Sequence, residues 1–290
     1  CGRRTKPSKA LEESGPFEWA DVTDPEKMKD VIKKYGIDTI INMAALLSAV
    51  GEKNPQLAWH VNVTGLINTL ELARELELTQ VLCPSSIAVF GAGCPRVDTP
   101  NDTVLKPTTM YGVTKVTGEL LCDYYVKRYG VDARGLRYPG IISAETLPGG
   151  GTTDYAVEIY YKAIEEKKYE CFVRDDTRLP MMYMPDCIKS TIDLMEADFD
   201  TLKHHGDFNV GAMSFSAGEL AAEIKKHIPE FEVSYQPDFR QEIADSWPQS
   251  LDDSAARDEW GWKPSYGINE MTRDMLDKLG KRHAEGKLYG

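Results

Sequence analysis

Two side chains four residues apart set the chemical question. Tyr111 and Lys115, in Tyr111-Gly-Val-Thr-Lys115, are spaced so that a helix places both on one face, one turn apart. Oxidising a secondary alcohol needs a base that takes the hydroxyl proton while hydride leaves carbon, and a phenolate serves once its pKa of roughly 10 is lowered. A neighbouring ammonium lowers it, because the opposite charge favours the ionised phenol. Taken alone, a Tyr and a Lys at this spacing are common on solvated helix faces, so the pair gains meaning only from its surroundings. Ser86 lies 25 residues upstream of Tyr111, within Ser85-Ser86-Ile87-Ala88-Val89-Phe90-Gly91. Its hydroxyl suits orientation of the substrate oxygen; Ser85 is the alternative hydroxyl, or simply a strand-end hydrogen-bonder.

Placing such groups takes alternating strands and helices, and the sequence supplies them. Between Asp24 and Gly36, Pro25 is a good first helical residue and Gly36 a stop, which predicts a helix. The β-branched run Thr39-Ile40-Ile41-Asn42-Met43-Ala44-Ala45 then predicts a buried strand opening into a loop. The alternation recurs with a helix over 55–77, a strand over 81–85, a helix over 111–129 and a strand over 133–138. Repeated units of this kind imply an α/β fold with a doubly wound parallel sheet, whose ligand sits beyond the carboxyl ends of the strands. The search therefore narrows to Met43 to Ser48, Ser85 to Gly91 and Tyr138 to Ser143. At Pro148-Gly-Gly-Gly-Thr-Thr153 the pattern changes to a loop, the edge of a second lobe. Helices over 155–168, 186–197 and 216–227, with a strand near 207–211, would build that lobe.

A nucleotide-binding fold ordinarily opens with a strand and a glycine-rich turn whose amides hold a pyrophosphate. No such motif occurs in these residues. Gly91-Ala-Gly93 is followed by Cys94-Pro95 rather than by a helix start, so it reads as a loop. The expectation is an incomplete dinucleotide-binding domain over 1–145, its first strand-helix-strand unit missing, and mainly a substrate lobe over 146–290, with the strand near 207–211 returning to the first domain.

Composition excludes other classes. A chain of 290 residues with 42% hydrophobic and 28% charged residues is long enough and apolar enough to bury a core. A net charge of -12 argues against nucleic acid, which needs a basic face, and favours a small-molecule ligand. Six cysteines without a CxxC pair or a His cluster suggest free thiols rather than a metal site or a disulfide framework. No apolar run approaches the roughly 18 to 20 residues that span a bilayer, and the start at Cys1-Gly-Arg-Arg4 has no signal-like apolar stretch after it.

The strand, the Ser-Ser-x-Ala-Val-aromatic-Gly run and the Tyr-Gly-x-x-Lys motif together resemble the extended short-chain dehydrogenases, the group of the UDP-galactose epimerases. The resemblance implies that Ser86 orients the substrate hydroxyl, that Tyr111 is the acid/base, and that Lys115 binds the nicotinamide ribose while depressing the Tyr111 pKa. It implies NAD as cofactor, with Asp21 and Val22 at the adenine and Met43, Ala44, Ala45 and Leu46 under the diphosphate and ribose. Asn62 would support the active-site strands, and Tyr138 and Ile141 would contact the nicotinamide amide. Read without the resemblance, these are ordinary strand ends and a satisfied helix asparagine.

Within that group the nucleotide-sugar enzymes usually carry an Arg-Asp-aromatic run where this chain has Leu179-Pro-Met-Met-Tyr183-Met-Pro-Asp186. Over nearly its whole length the chain is similar instead to the short-chain L-threonine 3-dehydrogenases, through 45–52, 137–143, 148–156, 177–183, Ile243-Ala-Asp-Ser-Trp-Pro248 and Leu251-Asp-Asp-Ser-Ala-Ala-Arg257. That family implies oxidation of L-threonine to 2-amino-3-oxobutanoate and a homodimer built on the helices over 55–77 and 111–129. It leaves the compartment open, bacterial cytoplasm favoured and mitochondria if the source is animal. A small zwitterion needs hydroxyl donors and close backbone approach, which Ser48, Gly151, Thr152 and Thr153 can supply beside Ser86 and Tyr111. Trp247 reads as a packing anchor, Arg178 as pairing by default with Asp175 and Asp176, and Asp186 as a helix N-cap. Two rivals stand: a nucleotide-sugar epimerase or reductase, and a non-catalytic truncated relative unable to hold NAD.

Overall fold

The computed structural model describes Gly2 and residues 6–289; the thiol of Cys1 and the Arg3-Arg4 pair lie outside the described residues. Contacts divide the chain into two compact units. The first runs to Ser85 and takes in Thr109–Gly135 and His205–Asp207; the second holds Ser86–Thr108, Leu136–His204 and everything from Phe208 onward.

In the first unit three short parallel strands lie side by side, Thr39–Ile41, Gln80–Leu82 in the middle, and Ala133–Arg134. Helices make the crossovers that parallel pairing requires. Helix Pro25–Tyr35 starts on the Asp24 side chain, which accepts from the Lys27 amide at 3.0 Å, and stops at Gly36 in the left-handed region, φ 60°. The helix expected over 55–77 exists, but the segment His60–Thr64 is π-helical, between Pro55–Trp59 and Gly65–Glu75. The long helix Met110–Tyr129 is capped by Thr109, whose hydroxyl accepts from the Gly112 amide, and ends at Gly130, φ 70°. Its inner face joins Leu66, Leu70, Ala73, Val81 and Ala133 in one core through Cys122 and Tyr125. The strand expected over 133–138 is broken at Gly135, where an added Cβ would lie 2.6 Å from the carbonyl oxygens of Cys83 and Gly206.

In the second unit Leu136–Tyr138 pairs parallel with Phe208–Asn209, the strand expected near 207–211. Gly140–Ile142 pairs parallel with Arg178–Tyr183, which pairs antiparallel with Met213–Ser216. Helices Tyr155–Glu165, Met184–Glu196, Ala217–His227 and Ile268–Ala284 surround these strands. Asp186 is not an N-cap. Tyr183 holds that position, and the buried Asp186 carboxylate accepts from the amides of Ser265 and Tyr266, tying the approach to the last helix. Arg178 pairs with Glu219 and the Ser214 carbonyl instead of its acidic neighbours, because its strand points it across to Met213–Ser216. Trp247 is buried, as a packing anchor should be. Among the described residues no helix is long and apolar enough to cross a membrane.

Candidate active site

The first unit assembles a polar site at the carboxyl end of Gln80–Leu82. Tyr111 lies in the first turn of the long helix and Lys115 one turn on, so the helix period alone puts both side chains on one face. The Lys115 ammonium sits 5.5 Å from the Tyr111 ring centroid and donates to the Pro84 carbonyl at 2.5 Å. That bond fixes the charge at the strand end, while burial pulls the Lys115 pKa down to about 8. The helix start is itself held: the Glu52 carboxylate accepts from the Met110 amide at 2.6 Å, a negative charge at a helix N-terminus. Gly118, one turn past Thr114, lets the helix lie close to Leu66, since an added Cβ there would come within 3.2 Å of its methyl.

Asn62 occupies the π-helical turn and is buried. Its side chain accepts from the Leu46 amide at 2.7 Å and donates to the Leu46 carbonyl and to the Thr114 hydroxyl, each at 3.0 Å. The Thr114 hydroxyl in turn donates to the Tyr111 carbonyl at 2.8 Å. One amide thus locks the loop after Thr39–Ile41 to the helix that carries Tyr111 and Lys115. A π turn widens the helix and displaces one side chain from the regular face, a feature frequent at functional sites. Met43 and Ala44 are exposed and Ala45 and Leu46 half-buried, so this strand end presents a surface while its backbone is pinned at Leu46. Ser48, buried, opens the short helix Ser48–Lys53.

Asp21 and Val22 form a turn in which Asp21 accepts from the amide and hydroxyl of Thr23. The Val22 carbonyl accepts from Asn68, and the Val22 side chain lies on Gly65, where an added Cβ would stand 2.6 Å from its methyl. Gly65 is therefore what lets this turn rest on the helix that begins with it.

The remaining residues belong to the second unit. The Ser86 hydroxyl accepts from the Ala88 amide at 3.2 Å and starts a single 3-10 turn. The hydroxyls of Tyr138 and Thr191 are hydrogen-bonded, and burial pushes the Tyr138 phenol up. Ile141 is half-buried on its strand. Gly140 brings that strand against Thr153, since an added Cβ would lie 2.9 Å from the Thr153 methyl. The triple-glycine segment is ordered by Asp154, whose carboxylate accepts from the amides of Gly149 and Gly151 at 2.6 and 2.8 Å. Thr152 is buried and Gly151 and Thr153 are half-buried.

Sequence reasoning did not single out Asp154, Thr114, Glu52 or Glu119 for these roles. Glu119 is buried and accepts from the Ser85 hydroxyl at 2.5 Å, which gives Ser85 a partner of its own. Its position four residues after Lys115 was a usable signal.

The chain matches the profile of the NAD dependent epimerase/dehydratase family over residues 2–211. It belongs to that family. An uncharacterized epimerase/dehydratase of Staphylococcus haemolyticus is 50% identical over 270 residues, 93% of this chain and 85% of the relative. Among solved structures, L-threonine dehydrogenase from Clostridium difficile is 54% identical with a TM-score of 0.94, covering 97% of this chain and 88% of that one. A monomeric L-threonine 3-dehydrogenase from a metagenome is 47% identical with a TM-score of 0.92, covering 97% and 89%. The fold is thus the Rossmann-like α/β fold of this NAD dependent family, and its resemblance to L-threonine 3-dehydrogenases extends over nearly the whole chain.

Proposed function

We propose that the protein oxidises L-threonine at its side-chain hydroxyl, giving 2-amino-3-oxobutanoate. The observation that carries the reading is the Tyr111–Lys115 pair, with the ammonium buried and fixed on the Pro84 carbonyl at a strand end. Tyr111 takes the hydroxyl proton at its phenolic oxygen, Lys115 stabilises the phenolate, and Ser86 holds the substrate oxygen. Ser48, Gly151, Thr152 and Thr153 serve the ammonium and carboxylate of threonine. Glycine amides turned to the Asp154 carboxylate support an ordered segment there rather than a free connector. In this reading residues 1–145 carry the cofactor and 146–290 mainly the substrate.

NAD fits the residues present, because a buried ammonium at a strand end suits ribose hydroxyls and the turn on Gly65 leaves Asp21 and Val22 pinned in place. Asp21, Val22, Met43, Ala44, Ala45, Leu46, Asn62, Tyr111, Lys115, Tyr138 and Ile141 would hold it. When bound it supplies the acceptor for the hydride.

A second copy of the chain is the proposed partner. The long helix exposes Val113, Leu120 and Tyr124, and the helix before the π turn exposes Leu57 and Trp59, an apolar face of the kind that helix pairs cover. The test of function is substrate discrimination: L-threonine with NAD is expected to yield NADH, and UDP-sugars are expected neither to bind nor to be epimerised. A UDP-sugar turned over without net NADH would replace this reading with the epimerase one.

A further inference from the structure

The site holds a buried carboxyl group that the proposed chemistry does not use. Glu119 stands one turn beyond Lys115 on the same helix face and lines, with Lys115, Ser85, Asn62, Thr114 and Asn42, a cavity of about 30 Å³. That is room for about one water with polar partners on several sides. Burying a carboxylate is costly unless charge and hydrogen bonds offset it. Ser85 supplies a hydrogen bond at 2.5 Å, and Lys115 is the only basic side chain among the described residues that line the cavity. The converse holds for Lys115: a buried ammonium left without a nearby anion sheds its proton.

We propose that Glu119 is a positioning residue that keeps Lys115 in its charged form through the cavity the two side chains share with Ser85. The inference rests on the threonine dehydrogenase reading for its consequence, since only a charged Lys115 stabilises a Tyr111 phenolate, but the charge relation stands by itself. Titratable groups facing Lys115 come from two elements. The long helix gives Tyr111, Glu119 and Cys122, and the end of the neighbouring strand gives Cys83; Asn62 and Asn42 are neutral. The hydrogen bond with Cys83, and after it burial, push the Cys122 thiol up, so it stays protonated. Glu119 is the one carboxylate among the described residues that line the cavity. Burial is the largest influence on Lys115 and brings the ammonium to about 8, while Cys83, Cys122 and Glu119, in that order, act upward against it.

The direct experiment is a titration of the Lys115 side chain by NMR in the protein without added substrate, its signal assigned by its loss in Lys115→Met. In the native protein the midpoint is expected near 8; a midpoint below neutrality overturns the proposal without any variant of Glu119. Glu119→Gln keeps the volume and an acceptor for Ser85 while removing the charge, so the Lys115 midpoint should fall by about one pH unit or more. Glu119→Asp, which keeps the charge, should restore most of the shift. The alkaline limb of the pH–rate profile should move to lower pH with the same ranking. A Glu119→Gln profile that is lowered at every pH without moving, together with an unmoved Lys115 titration, assigns Glu119 only to holding Ser85 and refutes the proposal. If no variant, nor the native protein, forms NADH from L-threonine, the functional reading fails while the titration still decides the charge relation.

Discussion

Asn62→Ala probes the joint between the strand-end loop and the helix proposed to carry the catalytic pair. Asn62 makes three hydrogen bonds from a buried position, two to the Leu46 backbone and one to the Thr114 hydroxyl. A buried hydrogen bond contributes about 0.5–1.5 kcal/mol net, and more when its loss leaves a buried partner unpaired. Thr114 keeps its bond to the Tyr111 carbonyl, so it is not orphaned; the Leu46 amide and carbonyl lose the partner they share. The sum is a loss of about 2–4 kcal/mol, to be read from urea unfolding as a lower midpoint with little change in slope. Activity should fall further than stability explains, because Leu46 belongs to the loop proposed to carry the cofactor. The expected kinetic signature is a raised KM for NAD with the KM for threonine nearly unchanged. A loss below about 0.5 kcal/mol with a normal KM for NAD would show that the loop is held by something else, and the reasoning about this asparagine would fail.

Four other outcomes follow from the same geometry. Tyr111→Phe deletes the proposed proton acceptor and keeps the ring, so turnover should fall by about 10²–10⁴ with the circular dichroism spectrum unchanged. Lys115→Met should abolish activity yet raise stability at neutral pH by roughly 1–2 kcal/mol, less than the full lysine shift because the bond to Pro84 is lost. The sign follows from linkage: the folded pKa is about 8, below that of the unfolded chain, so the native protein gains stability relative to the unfolded chain as pH rises from about 8 toward 10.5, and the gain of Lys115→Met should shrink over that range in unfolding measured against pH. Gly91→Ala would drive a Cβ to 1.9 Å from the Lys106 carbonyl oxygen, a backbone clash expected to cost about 3 kcal/mol or more in thermal unfolding. Leu120→Glu places a charge on the exposed apolar face of the long helix and should halve the mass seen by light scattering; an unchanged mass would remove that face from the proposed dimer.

Much of the fold was legible because its signals are local. Asp24, Pro25 and Gly36 mark a helix by capping chemistry that needs no tertiary context, and Pro25–Tyr35 follows it. The same holds for Tyr111 and Lys115, whose common face is a property of the helix period. What could not be read depends on neighbours distant in sequence. The π turn at His60–Thr64 has no composition of its own, and it serves contacts to Leu46 and Thr114. The break at Gly135 is set by the carbonyls of Cys83 and Gly206. Asp186 sits where an N-terminal acidic residue is expected, yet its carboxylate serves amides 79 and 80 residues away. Glu119 looks like one more helix glutamate until Ser85 and the cavity around Lys115 are in view.

The most direct measurement of the central assignment is NADH formation with NAD and L-threonine, made on the 290-residue chain and on an N-terminally extended form, each beside its Tyr111→Phe variant. Threonine-dependent NADH in at least one native form, lost in the matching variant, is the expected result. Silence in both native forms, or equal rates with and without the Tyr111 hydroxyl, contradicts the assignment.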